Sequence, residues 1–86
     1  MPVELIRGQV TRQGDGDWQF GYLKRGMGPV DTLSTQALSA EVVHRIWEQV
    51  LGPLPATGLG ESEIVHEWDR LEPVLAVEIE RRIRGM

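Results

Sequence analysis

The chain has 86 residues, no cysteine, 41% hydrophobic and 26% charged residues, and a net charge of −4. This is globular composition with room for one domain, read as residues 1–86, and it excludes a disordered tail, a disulfide-stapled fold and a cysteine-based zinc site. Residues 1–35 balance four basic against four acidic groups, so the acidic excess falls wholly in residues 36–86.

Met1-Pro2-Val3-Glu4-Leu5-Ile6-Arg7-Gly8 lacks the basic and apolar regions of a signal peptide, and no apolar run approaches the roughly 18 residues of a membrane span. The expectation is a soluble cytoplasmic protein. Val3 to Arg12 is β-branched and apolar. Ile6, Gly8 and Val10 alternate there with Arg7, Gln9 and Thr11, which predicts a strand. Gly14-Asp15-Gly16-Asp17 predicts a hairpin loop. Trp18, Phe20 and Tyr22 then place three aromatics on one face of a second strand, Trp18 to Lys24. Burying that row in a small domain is the larger gain, so it is expected in the core. The alternative, with Ile6, Val10 and Leu23 inside, would leave it as a binding surface. Arg25-Gly26-Met27-Gly28-Pro29 predicts a turn, and Val30 to Leu33 a short third strand at an edge.

Ser39 can cap a helix over residues 39–51, with Leu38 and Val43 placed as a hydrophobic staple. Val42, Val43, Ile46, Trp47, Val50 and Leu51 form its apolar stripe, and Gly52-Pro53 ends it. Residues 52–60 are a Pro/Gly loop and the best candidate for mobility. A second helix spans 61–84. Ile64, Trp68, Leu71, Leu75, Ile79 and Ile83 line one side, and Glu78–Arg82 and Glu80–Arg84 pair one turn apart. Pro73 should either kink it near Asp69–Leu71 or divide it into two helices, the second starting at the proline. Val74 to Ile79 also alternates like a strand, but the Glu–Arg pairs favour helix. The order of elements predicts an α+β fold: a three-stranded antiparallel meander over 1–35, followed by two or three α-helices packed on one sheet face.

Motifs that carry chemistry are few. Leu54-Pro55-Ala56-Thr57-Gly58 resembles the LPxTG sorting signal cleaved by sortases. In that signal a membrane-spanning stretch and a basic tail follow, whereas a charged amphipathic helix follows here, so the string is read as loop chemistry. His44 and His66 have no second histidine one turn away and are read as surface residues. Asp15 and Asp17 do not open the twelve-residue pattern of a calcium loop. Gly26-Met27-Gly28 and Gly58-Leu59-Gly60 do not extend to a phosphate-binding loop. Ser34, Ser39 and Ser62 lack a nucleophile elbow. Glu61, Glu63, Glu67 and Asp69 are read as a solvated helix face. No catalytic residue, cofactor or metal ligand is assigned, and an enzyme would require a deep polar pocket containing His44 or His66.

Two functions fit. The first is a small acidic protein-interaction module of accessory, adaptor or inhibitor type. It would self-associate, because a chain this small and cysteine-free has a marginal core. It would bind its unidentified protein partner through the acidic helices, at Glu63 and Glu67, or through an exposed sheet edge. The second is a nucleic-acid-binding module. A strand, Gly-Asp-Gly-Asp-Trp, a second strand, a Gly turn and a Thr/Ser-rich lead into a helix, over residues 9–50, resemble AP2-like and integrase arm-binding domains. Those domains lay a three-stranded sheet in the major groove. The resemblance implies phosphate or base contacts from Arg7, Arg12, Lys24 and Arg25. Those domains present several Arg and Lys on the sheet, and the neutral first 35 residues disfavour this reading.

Overall fold

The computed structural model describes residues 2–25 and 30–85. The turn expected at Arg25–Pro29 falls, from Gly26 onward, outside them. The strands β1 (Val3–Arg12), β2 (Trp18–Lys24) and β3 (Thr32–Leu38) form one antiparallel sheet in the order β1-β2-β3. The β1–β2 hairpin closes as predicted: Gly14 takes a φ of 60°, and the Gly16 N–H donates to Gln13 O at 2.8 Å. Three helices follow: α1 (Ala40–Val50), α2 (Glu61–His66) and α3 (Trp68–Arg84). The architecture is the α+β meander-plus-helices arrangement read from the sequence. Both α2 and α3 lie against β1, and α1 packs on α3.

The period-two reading of β1 holds only in part. Leu5 stands opposite Tyr22 and Val10 opposite Phe20, so the four residues from Ile6 to Gln9 bulge against the single residue Gly21. An ordinary strand would put Leu5 and Val10 on opposite faces. The bulge resets the parity, and both are buried, with Val3. The face expected from Ile6, Gly8 and Val10 is therefore corrected to Val3, Leu5 and Val10. Gly21 makes room for the bulge. A Cβ there would overlap Gln9 Cβ and lie 2.6 Å from Gln9 Cγ.

Val10 and the aromatic row, alternatives for the core by sequence, share a face. Trp18 and Phe20 are fully buried, their rings stacked at 6.3 Å, and Tyr22 packs on the rim. The third strand starts two residues later than predicted, leaving Val30 and Asp31 outside it, and runs on to Leu38. Ser34 to Leu38, expected as part of the lead into the helix, continue β3 by pairing with Tyr22 back to Trp18. Their own side chains are mostly polar and short. The apolar partners in β2, and the complete burial of Leu38, hold them in the sheet.

Ser39 caps α1, its Oγ accepting from the Val42 N–H at 3.3 Å. Val43, Ile46 and Trp47 are buried as the stripe predicts. Gly52 ends the helix at a φ of 102°, its N–H donating to Glu48 O, which is the left-handed glycine cap. The loop 52–60 is tied down: Trp47 Nε1 donates to Pro53 O at 3.3 Å, and Leu59 is buried.

The expected break at Pro73 is corrected: α3 runs through it from Trp68 to Arg84. The chain breaks at Glu67, where φ is −100° and ψ is 21°, six residues earlier. Glu67 keeps its groups bonded: its N–H donates to Glu63 O, and its carbonyl accepts from the Arg70 and Leu71 N–H groups. Pro73 sits exposed inside α3. The bond it cannot make is to the carbonyl of Asp69, also exposed, where water can take the freed oxygen. Val74 to Ile79 is helix and not strand. Both expected Glu–Arg pairs form, and Glu78, itself buried, holds Arg81 and Arg82 together.

Candidate functional site

The sheet has two outer edges, and they are built differently. The β1 edge is guarded. The bulge breaks its ladder, Arg7 reaches Asp69 of α3 at 3.0 Å, and the Arg12 N–H donates to Glu61 Oε1 at 2.9 Å. Broken pairing, charge and a covering helix are the usual means of blunting an edge strand. The β3 edge has none of these. Thr32-Leu33-Ser34-Thr35-Gln36-Ala37-Leu38 carries no charge, proline or bulge, and no described residue pairs with its outer side. Every second residue of such a strand turns its N–H and C=O away from the neighbouring strand.

On the sheet face opposite the helices the β1 bulge lies over Gly21, but among the described residues nothing covers Leu33. Leu33 stands opposite Leu23 on it and is 56% exposed. Val30, just before β3, is 75% exposed. Arg25 spans the end of this face, donating to Glu4 at 2.9 Å and to Asp31 at 3.2 Å. The Glu4 hydrogen bond and the two carboxylate charges raise the Arg25 pKa above its ordinary value. The pairs are exposed, so solvent screens them and they add little to stability.

The four cations picked out for nucleic-acid contact are not brought together. Arg12 pairs across the sheet with Trp18 and Lys24 with Val3, at opposite ends of a seven-residue strand, about 20 Å apart at strand rise. Arg12 is part of the fold. Its guanidinium lies 5.3 Å over the Trp18 ring and donates to Leu59 O, so it clamps the loop to the sheet. Arg7 and Arg25 are ion-paired. Lys24 alone of the four makes no ion pair among the described residues. Sequence reasoning missed the clamp because Arg12 and Leu59 are 47 residues apart.

Glu63 and Glu67 also have local tasks. Glu63 Oε2 accepts from the Gly60 N–H at 2.8 Å, closing the start of α2. Glu67 joins α2 to α3, with Arg70 3.7 Å away. Glu63→Ala is expected to destabilise the fold by about 1 kcal/mol, measured by urea unfolding, because it removes a capping interaction. An unchanged midpoint would mean that the cap is idle.

His44 departs from its surface reading. It is half-buried, with Nε2 enclosed and unpartnered among the described residues, while His66 is exposed as expected. His44 lines an open cleft of about 600 Å³ with Arg12, Asp15, Glu63 and the loop from Leu54 to Gly60. The cleft has a polar wall, but Arg12 and Glu63 are spent on Leu59 and Gly60. Among the described residues no three acidic or histidine side chains are grouped to hold a metal ion, and no helix is long and apolar enough to cross a membrane. The LPATG string forms a turn, with the Gly58 N–H donating to Pro55 O at 3.0 Å.

Comparison of the chain with protein families, characterised proteins and solved structures finds no match.

Proposed function

We propose that this chain is a small protein-interaction module that binds by strand addition at β3 and performs no catalysis. The observation that carries the reading is the contrast between the sheet edges: β1 is bulged, charged and braced by α2 and α3, whereas β3 is regular and uncharged. An added strand would gain main-chain hydrogen bonds along Thr32–Leu38 and an apolar contact at Leu33. Glu63 and Glu67 support it less well as a binding patch, since both are engaged within the helical half. The nucleic-acid reading is supported only by Lys24, because Arg7, Arg12 and Arg25 already neutralise carboxylates or hold a carbonyl.

The test is capture from native lysate with and without nuclease, using the wild-type chain, Thr35→Lys and Glu67→Lys as baits. Thr35 is exposed on β3, so lysine there guards the edge without entering the core. The expected result is a protein retained by the wild type and Glu67→Lys and lost by Thr35→Lys. Loss with Glu67→Lys alone would move the surface to the helices. Loss of everything on nuclease treatment would replace the reading with nucleic-acid binding.

A further inference from the structure

We infer that the strand added at β3 is the β3 of a second copy of this chain, in an antiparallel pair about a two-fold axis at Thr35. The inference rests on the interaction reading and names its occupant.

The register follows from the strand itself. β3 has seven residues with Thr35 at the middle, so antiparallel pairing centred there uses its whole length. Thr32 then faces Leu38 of the second copy, Leu33 faces Ala37, Ser34 faces Gln36, and Thr35 faces itself. Cross-strand partners share a sheet face. Leu33 and Ala37 meet on the open face, where Leu33 is now 56% exposed. Ser34 and Gln36 meet on the helix side, where both are half-buried and able to hydrogen-bond. No pair in this register places a charge against a like charge, which directly opposed residues penalise.

Charge placement favours a second copy of this chain as the partner. Lys24 lies beside Thr32 at one end of β3. Glu41 lies just past Leu38 at the other, in the first turn of α1. Both are exposed, and neither forms an ion pair with any described residue of its own chain. Antiparallel pairing brings the Thr32 end of one copy to the Leu38 end of the other, so each Lys24, one strand behind β3, comes to the same end of the interface as the other copy's Glu41, two strand spacings (roughly 10 Å) from that copy's Leu38. The symmetry supplies this twice.

The guarded β1 edge gives the assembly its limit. A sheet with two open edges would add copies indefinitely. With β1 closed by its bulge and by Glu61 on the Arg12 N–H, pairing through β3 closes at two copies and makes a six-stranded sheet.

Analytical ultracentrifugation of wild type, Thr35→Lys, Thr35→Glu and an equimolar mixture of the two variants tests the axis directly, with circular dichroism and thermal midpoint as fold controls. Wild type is expected to be a dimer. Each variant alone is expected to be a folded monomer, because it sets two like charges face to face across the axis. The mixture is expected to regain the dimer. In the same assay Lys24→Glu should weaken the dimer, and Lys24→Glu combined with Glu41→Lys should restore it. A wild type that stays monomeric at its highest soluble concentration overturns the second copy as occupant, while a partner still lost from the Thr35→Lys bait would leave the interaction reading standing. Variants that remain dimeric, or a mixture that remains monomeric, overturn the axis at Thr35.

Discussion

Phe20→Ala is expected to destabilise the protein by about 3–5 kcal/mol, the usual cost of deleting a fully buried aromatic ring. Phe20 has no exposed surface. It stacks on Trp18 and stands across from Val10 in β1 and Gln36 in β3, at the centre of the sheet's helix-facing side. A small domain has total stability of about 5–15 kcal/mol, so this one change removes a large part of it. Leu33→Ala, on the opposite face, should change the stability of dilute protein by less than about 0.5 kcal/mol, as exposed positions do. Urea unfolding of the two variants decides which sheet face is the core. Comparable losses for both would mean that something covers the open face even in dilute protein, and the proposed surface would not be free.

Gly21→Ala is the second large effect, with an expected loss of about 1–3 kcal/mol from overpacking. The cause is specific. Four residues of β1 bulge over Gly21, and Gln9 occupies the space a Cβ would need. The clash is with the near atoms of Gln9 and not with the free end of its side chain, so rotation about χ angles cannot relieve it fully. Gln9→Gly should therefore recover most of the loss when combined with Gly21→Ala, a coupling that a double-mutant cycle isolates. Simple additivity of the two changes would mean that the bulge does not rest on Gly21. The bulge also guards the β1 edge, so Gly21 bears on function as well as stability.

What the sequence revealed depended on how local the cause was. The helices were legible because their stripes, the Ser39 cap and the Gly52 stop are all encoded within a turn or two. The aromatic row in β2 was legible for the same reason. The bulge in β1 was not, since a strand that resets its parity looks, residue by residue, like one that continues it. The last five residues of β3 carry no apolar period, and only their pairing with Trp18 to Tyr22 makes them a strand. The interruption at Glu67 has no residue that marks it, whereas Pro73 does mark one and is instead absorbed on the exposed side of α3. Of the surface argued here, one sign was present from the start, the uncharged run from Thr32 to Leu38. That this run forms an outer edge, and that Arg12 and Glu61 close the other one, is a matter of topology that spacing along the chain does not express.

Amide hydrogen exchange shows whether β3 is the edge that assembly covers. Exchange would be compared between the dilute free chain and the chain in its assembled state, whether a dimer or a complex with a captured protein. Alternate amides from Thr32 to Leu38, those directed away from β2, are expected to exchange freely in the dilute chain and become protected on assembly, while amides of α2 and α3 are unchanged. Protection confined to α2 and α3, with β3 unaltered, would contradict it.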